Sequence, residues 1–410
     1  MKLTTQQKNA IEKFKRLKVG ALFMKQGTGK TRVSIELSNY TQCELVVYIV
    51  PAALVDTLKE ELNKWHLNKE YLIETYQGIS RSDRRYLQLL QIIKDKTCMV
   101  IADESVFIKN DDSKTYQRMI EISKHSDYRL ILNGSPITKN EWDIYNQMSF
   151  LSPKIIGMHR IDFLNNFFTH VVFKKRGQKE RDFYKLSEVN IGYLHKLIEP
   201  YIFQVDLELE LEEKTKTIVI GNSVYEEYSL QKKSLLDSLE TGEGDIVQKL
   251  RSMEVLVFTD YERINEISKH IKGQCIVFCQ FIEEIDCLAS KLGKCFVIKG
   301  SVPKEKRTEI IQQFKNSNIP LLITLGTGAF GLNLQFCNKI MFSSISFNYS
   351  HIEQAIYRIK RLGQNKEIEY TYFASDLGIY NMIYENLSKK RSLQEIIINK
   401  MEGNAFEKEL

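Results

Sequence analysis

The 410-residue sequence lacks several features that define large protein classes. No apolar run reaches the roughly 20 residues that a membrane-spanning helix needs. The opening residues, MKLTTQQKNAIEKF, contain no apolar signal core. Low-complexity segments and short repeats are also absent, and the composition is neither fibrous nor disordered. We therefore expect a soluble globular protein with no membrane partner.

Cysteine usage gives no sign of disulfides or of a zinc site. The seven cysteines are an odd number, are scattered, and mostly lie in apolar runs such as QCIVFCQF (274–281). No second Cys or His pair follows Cys275 and Cys279 at ligand spacing. This usage is typical of reduced, intracellular thiols.

The formal charge of +6 comes from 58 basic and 52 acidic residues. It is compatible with a polyanionic partner, but many soluble enzymes carry a similar balance. The identity of any partner must therefore come from motifs.

The pattern of apolar runs predicts two α/β domains. Short apolar runs separated by segments of helical length occur in both halves of the chain, at 19–24, 45–50, 98–104, 128–136, 274–281, 294–300, 320–326 and 338–344. Strands that alternate with helices indicate parallel sheets covered on both faces. We expect lobes at 1–152 and 271–375, a helical insertion and linker at 153–270 with a strand-like run at 205–220, and a helical tail at 376–410.

A phosphate-binding loop is predicted at GTGKT (27–31), which follows an apolar strand and precedes the helix-like run RVSIELSNY. Backbone N–H groups around Gly27, Thr28 and Gly29 would face phosphates, and the helix N-terminus favours an anion. Lys30 would reach the β and γ phosphates, and Thr31 would offer its hydroxyl to Mg²⁺. Because Met24 holds the position of the usual first glycine, a chance Gly-rich turn is the alternative.

An acidic pair, Asp103 and Glu104, ends the third apolar run. The carboxyl end of a parallel strand lies beside such a loop, so Asp103 would hold Mg²⁺ through water. Glu104 would orient and deprotonate the attacking water. A solvent-facing acidic pair at a strand end is the alternative.

Motifs in this order resemble the Swi/Snf family of superfamily 2 helicase-like ATPases, over about residues 3–375. The segments that carry the resemblance are LTTQQ (3–7), VVYIVPAALVDTLKEELNKW (46–65), IADESVFIKNDDSKT (101–115), RLILNGSPITKNEWDIYNQMSFLSP (129–153), CIVFCQFIEEIDCLASKL (275–292), GSVPKEKRTEIIQQF (300–314), GAFGLNLQ (328–335) and EQAIYRIKRLGQ (353–364). The resemblance implies two tandem RecA-like parallel-sheet lobes that bind ATP and Mg²⁺.

The resemblance also implies roles for residues outside the phosphate loop. Gln7 takes the place of the adenine-reading glutamine. Arg358 and Arg361, three apart on an expected helix and hence on one face, would reach the γ-phosphate from the second lobe. An exposed basic helix face is the alternative for these arginines.

Translocation along double-stranded DNA without strand separation is the activity that the resemblance implies. Candidate backbone contacts are Arg81, Ser135 and the basic stretch 173–181, which contains Lys174, Lys175 and Arg176. A solvated charge run is the commoner meaning of such a stretch. The alternatives are a strand-separating or branch-migrating helicase, and a non-catalytic DNA-binding module.

The chain holds little beyond the motor, so we expect a monomeric motor whose substrate choice comes from the insertion, the tail or an unidentified protein partner. The Lys-, Ile- and Asn-rich usage favours an AT-rich genome. This points to the cytoplasm of a bacterium or of an infected host cell.

Several positions depart from the family pattern. Val106 stands where a His often follows the acidic pair, so any coupling through that His must be absent or rerouted. Gln204 and Val205 replace an expected pair of arginines, and Gly326 replaces a usual Arg. None of these changes removes a phosphate or metal group.

Overall fold

The computed structural model describes residues 2–108, 110–134, 142–173, 181–187, 189–205, 212–241, 245–328, 332, 334–361 and 364–389. The chain forms two compact units, residues 1–208 and 209–410. Each unit contains one six-stranded sheet in which neighbouring strands run parallel. The two parallel-sheet lobes expected from the sequence are confirmed.

The elements of the first unit alternate between helix and strand through most of its length. They are α1 (Thr5–Phe14), β1 (Val19–Met24), α2 (Lys30–Tyr40), β2 (Leu45–Val50), α3 (Val55–Lys64), β3 (Glu70–Thr75), α4 (Tyr76–Arg81), α5 (Asp83–Asp95), β4 (Cys98–Asp103), α6 (Lys114–Lys124), β5 (Tyr128–Asn133), α7 (Trp142–Leu151), α8 (Arg160–Phe167), β6 (Phe168–Phe173), β7 (Arg181–Leu186), α9 (Ile191–Ile198) and β8 (Ile202–Val205). The sheet order is β3-β2-β4-β5-β1-β8, and β6 pairs with β7 in a separate antiparallel ribbon.

Both faces of the central part of the first sheet are buried, which explains why strands such as β1, β2 and β4 are continuous apolar runs in the sequence. Successive side chains of a strand point to opposite faces. In β1, Ala21 and Phe23 pack into one hydrophobic cluster, while Leu22 and Met24 pack into another on the opposite side. A sheet covered on both faces is the arrangement that all-parallel sheets require.

The second unit repeats this construction. Its elements are β9 (Glu213–Ile220), α10 (Tyr225–Thr241), α11 (Ile246–Phe258), α12 (Tyr261–His270), β10 (Ile276–Cys279), α13 (Ile282–Leu292), β11 (Phe296–Ile298), α14 (Lys304–Lys315), β12 (Leu321–Thr324), α15 (Leu325–Gly328), β13 (Lys339–Phe342), α16 (Tyr349–Ile356), β14 (Ile368–Ser375) and α17 (Gly378–Lys389). The sheet order is β11-β12-β10-β13-β14-β9.

The segment 153–270, expected as an insertion and linker, is divided between the two units. Its first part supplies β8, which pairs with β1 at one edge of the first sheet. Its second part supplies β9, which pairs with β14 along its whole length. The described part of the expected tail is the helix α17, and residues 390–410 lie outside the described residues.

The carboxyl edge of the first sheet positions the candidate site. Parallel strands end at the same edge, so β1 and β4 deliver the chain after Met24 and Asp103 to one side of the sheet. Among the described residues, no helix is long and apolar enough to cross a membrane.

Candidate nucleotide-binding site

The loop between β1 and α2 turns through two glycines with positive φ. Gly27 has φ 84° and Gly29 has φ 89°, a region that favours glycine because a Cβ is strained there. The hydroxyl and the N–H of Thr28 both donate to the carbonyl of Lys25, at 2.7 and 3.3 Å. The sequence GTGKT therefore forms a tight turn that leads directly into a helix.

Gln7 contacts this loop from α1. Its amide Nε2 donates to the carbonyl of Thr28 at 2.9 Å, and its side chain is 4% exposed. Its Oε1 accepts the N–H of Thr4, the N-cap residue of α1, at 3.1 Å. A Cβ at Gly29 would lie 2.3 Å from Nε2 of Gln7, so a larger residue there would require the Gln7 side chain to move.

Lys30 begins α2, and Gly29 at its N-cap has no side chain to cap the helix. The Lys30 Nζ donates to the carbonyl of Met24, the last residue of β1, at 2.8 Å. Thr31 follows in the first turn of the same helix. The loop thus joins a helix N-terminus to a lysine charge, which together favour an anion.

Asp103 and Glu104 stand at the carboxyl end of β4, one strand away from β1. Burial, and next the neighbouring Glu104 carboxylate, raise the pKa of Asp103 to about 7, while the charge of Lys30 acts to lower it. The Lys30 ammonium and the acidic pair are therefore within electrostatic reach of each other. The structure brings the predicted loop and the predicted acids to one site.

Three polar residues beside the acidic pair were missed by sequence reasoning. The Tyr76 hydroxyl donates to the carbonyl of Asp103 at 2.9 Å, and the Ser105 hydroxyl donates to Oε1 of Gln147 at 2.5 Å. All three side chains are buried. A signal for Gln147 lies in IYNQMSFL (144–151), because Ile144, Met148 and Leu151 predict a buried helix face, beside which a buried glutamine needs a hydrogen-bond partner.

The expectation that Arg358 and Arg361 share one helix face is wrong. Helix α16 ends at Ile356, and the arginines lie in turns beyond it, where the N–H of Arg358 donates to a carbonyl only three residues back. The amide of Gln364 bonds the carbonyl of Ile359, which a continuing helix would need for itself.

The two arginines also differ in environment. Arg358 is 5% exposed, and its Nη1 donates to the carbonyl of Leu332 at 3.3 Å. Arg361 is half-buried, and its Nε donates to the carbonyl of Tyr357 at 2.8 Å. Arg358 is therefore more deeply tied into the second unit than Arg361.

The candidate DNA contacts are less fully described. Arg81 is exposed at the end of α4, beside a corner that Arg118 holds by bonding the carbonyls of Ser80 and Ser82. Ser135 lies outside the described residues. The same holds for Lys174, Lys175 and Arg176.

One departure from the family pattern lies next to the phosphate loop. Gln204 and Val205 belong to β8, where Val205 pairs with Met24. The Val205 carbonyl accepts the N–H of Lys25 at 3.0 Å. These two residues therefore support the start of the loop through their backbone, whatever their side chains do.

Two family models and several known proteins match this chain. The chain matches the SNF2-related domain over residues 9–274 and the helicase conserved C-terminal domain over residues 245–363. It is 23% identical to the ISWI chromatin-remodeling complex ATPase ISW2 of Saccharomyces cerevisiae, across 94% of this chain and 39% of that protein. It is 22% identical to the Chromodomain-helicase-DNA-binding protein 1-like of Danio rerio, across 91% of this chain and 41% of that protein.

The chain thus spans about two fifths of the length of each of these relatives. Among solved structures, it aligns with the Sulfolobus solfataricus SWI2/SNF2 ATPase core in complex with dsDNA. That alignment has 19% identity and a TM-score of 0.44, and it covers 99% of this chain and 94% of the other.

Proposed function

Because this chain belongs to the SNF2-related family of helicase-like ATPases, we propose that it is an ATP-driven translocase on double-stranded DNA. The observation that carries the ATPase part is the shared edge of the first sheet. There the loop that begins α2 with Lys30 lies within electrostatic reach of Asp103 and Glu104. A helix N-terminus and a lysine bind phosphates, while a nearby carboxylate is suited to activating water.

In this proposal the phosphates occupy the loop formed by Gly27, Thr28 and Gly29, and Lys30 exchanges its bond to the Met24 carbonyl for the β and γ phosphates. Gln7 would bind adenine with the donor and acceptor capacity of its amide that the bonds to Thr4 and Thr28 do not use. Because Gln7 is already hydrogen-bonded to this loop, the residue that binds the base would be joined directly to the loop that binds the phosphates.

The residues present fit Mg²⁺. Thr31 and Asp103 offer oxygen ligands, which this hard cation prefers. Asp103 is a half-buried carboxylate beside a second carboxylate, and its raised pKa indicates that the site would gain from a nearby cation. When bound, Mg²⁺ would neutralise charge on the β and γ phosphates. Glu104 would then orient the attacking water and accept its proton.

We further propose that Arg358 and Arg361 stabilise the charge that develops on the transferred phosphoryl group when the two lobes close. Both residues lie in the segment that resembles the family motif EQAIYRIKRLGQ (353–364). Repeated closing and opening would change the distance between the contacts that each lobe makes with a nucleic-acid backbone. Such a cycle would move the protein along the nucleic acid.

The DNA part of the proposal draws on the relatives and on charge. One relative is named for chromatin remodelling and another for DNA binding. The chain itself is mildly basic, with a formal charge of +6. Arg81, Ser135, Lys174, Lys175 and Arg176 are the proposed backbone contacts, and such contacts are independent of base sequence.

Two displacement assays separate a translocase from a strand-separating or branch-migrating helicase. A translocase on duplex DNA removes the third strand of a triplex in the presence of ATP and leaves a forked duplex paired. Strand separation of the fork without triplex displacement would favour the helicase alternative. Lys30→Ala serves as the control in both assays, because any displacement it shows does not depend on ATP turnover.

A further inference from the structure

The backbone of Glu104 has φ 51°, the left-handed region that residues with a Cβ seldom adopt. Strain of this kind persists only where the surrounding structure fixes it, and it is concentrated at functional sites. In the proposed function, Glu104 is also the residue that orients and deprotonates the attacking water. The contacts that hold its conformation therefore bear directly on catalysis.

Contacts on both sides of Glu104 fix its backbone. Its own N–H donates to Oδ1 of Asp103 at 2.9 Å, and the Asp103 carbonyl accepts the hydroxyl of Tyr76. On the other side, the Glu104 carbonyl accepts the N–H of Phe107 at 3.1 Å. The ring of Phe107 stacks on Tyr76, with centroids 5.1 Å apart. Tyr76 and Phe107, whose rings stack on each other, therefore hold the backbone on the two sides of Glu104 by hydrogen bonds.

The next residue, Ser105, is anchored to a different element. Its hydroxyl donates to Oε1 of Gln147 at 2.5 Å, and both side chains are completely buried. Gln147 lies on α7, whose Ile144 and Met148 are buried in the hydrophobic core of the first unit. The hydrogen bond therefore ties the residue after Glu104 to a helix that the core holds in place.

A buried polar pair beside a strained residue calls for a functional explanation. Two apolar side chains of similar volume fill a core at least as stably as a hydrogen-bonded pair does. A hydrogen bond supplies direction, which apolar packing does not. Val106, the residue after Ser105, has no polar side-chain group, so Ser105 is the member of this dipeptide that can form a directional contact.

We propose that Ser105 and Gln147 are positioning residues that hold Glu104 in its left-handed conformation, so that its carboxylate is aimed at the attacking water. This inference rests on the proposed function, in which Glu104 activates water. In this proposal, neither Ser105 nor Gln147 contacts ATP. The pair should therefore affect the rate of hydrolysis and not nucleotide affinity.

The test is a double-mutant cycle of Ser105→Ala, Gln147→Met and the combined variant, each measured for kcat, KM for ATP and thermal midpoint. A displaced catalytic group costs on the order of tenfold to a hundredfold in rate. We expect kcat to fall by about that factor in Ser105→Ala and in the double variant, with KM within about twofold of wild type. The double variant should be at least as stable as Ser105→Ala, because Ser105→Ala removes the donor to Oε1 of the buried Gln147 and Gln147→Met removes that acceptor as well.

A merely structural role gives a different pattern. In that case kcat follows stability, so the double variant recovers both together, and this result overturns the proposal. Wild-type kcat in Ser105→Ala overturns it as well. Ser126→Ala is the matched control, since it removes another buried hydroxyl of the same unit, which donates to the Ile122 carbonyl at 2.8 Å.

Glu104→Gln separates this proposal from the function on which it rests. If Glu104→Gln hydrolyses ATP as wild type does, the assignment of Glu104 fails. If Glu104→Gln is inactive while the double variant retains wild-type kcat, only the positioning role fails.

Discussion

The amide of Gln7 donates to the carbonyl of Thr28 at 2.9 Å, which binds the first helix directly to the phosphate loop. The same amide nitrogen lies 2.3 Å from the position that a Cβ on Gly29 would take. Gln7 and Gly29 are therefore matched in shape, and a change at either residue should be felt at the other.

Gly29→Ala should reduce ATP hydrolysis by tenfold or more, because the new methyl group displaces Gln7 and strains a backbone at φ 89°. The control is Gly293→Ala, which has a similar positive φ of 69° but no atom within 4 Å of the new Cβ. Gly293→Ala should cost about 1–3 kcal/mol of stability, because its φ of 69° and ψ of −53° are also strained for a residue with a Cβ, and should leave turnover intact. Equal turnover in the two variants would show that the contact with Gln7 is unimportant.

Lys30→Ala should abolish turnover and leave the fold intact. It removes the positive charge beside the phosphates, and the side chain is only half-buried. Glu104→Gln should still bind ATP but fail to hydrolyse it. Steady-state ATPase rates, binding of a fluorescent ATP analogue and thermal midpoints check both statements. Wild-type turnover by either variant would refute the site, and Lys8→Ala, at an exposed position of α1, is the control.

Arg361→Ala should lower kcat on the order of a thousandfold, roughly 4 kcal/mol of barrier, with little change in ATP affinity. The reason is that the extra charge on the phosphoryl group develops fully only in the transition state. Lys should substitute poorly, since it lacks the planar fork of arginine.

Arg358→Ala should also lower kcat but should in addition lower the thermal midpoint, because Arg358 is buried and bonds the Leu332 carbonyl. Lys366→Ala, at an exposed position nearby, is the control for both arginine variants. If Arg361→Ala hydrolyses ATP normally with and without duplex DNA, the proposal that the second lobe completes the site is wrong.

Glu254 on α11 makes stability depend on pH. Burial raises its pKa to about 7, Arg251 at 3.6 Å only partly opposes this, and its Oε1 accepts no hydrogen bond from any described residue. The ordinary pKa of a glutamate is about 4.3. Between these two values the folded protein holds a proton that the unfolded chain has released, so stability falls as pH rises through this window.

Glu254→Gln should therefore raise stability by about 1–3 kcal/mol at pH 8, and the gain should shrink toward pH 5. Thermal midpoints at the two pH values measure this. Glu226→Gln, on the exposed side of α10, is the control. A gain that is equal at both pH values would contradict the explanation.

The sequence predicted strands that form continuous apolar runs and missed strand β3, which does not form one. The runs at 19–24 and 45–50 coincide with β1 and β2, whose residues are almost all buried. Strand β3 (Glu70–Thr75) is an edge strand with exposed and half-buried residues, so it has no apolar run to detect. Strand β9 read as an alternating run, but its pairing with β14 depends on residues some 150 positions away.

The phosphate loop and the acidic pair could be predicted because their chemistry is local in sequence. The contact between Ser105 and Gln147 could not, since it joins residues 42 positions apart through packing of α7. The turn at Arg358 and Arg361 was missed for a similar reason. Gln364 ends the helical pattern by bonding carbonyls of three separate residues, among them Cys337.

We propose that ATP hydrolysis in this chain is coupled to double-stranded DNA. The most direct test measures ATPase rate with no nucleic acid, with single-stranded DNA, with RNA and with duplex DNA of equal length. We predict that duplex DNA stimulates hydrolysis most, and that this stimulation falls as salt is added, because backbone contacts are screened. Greater stimulation by single strands or by RNA, or no hydrolysis under any condition, would contradict the account.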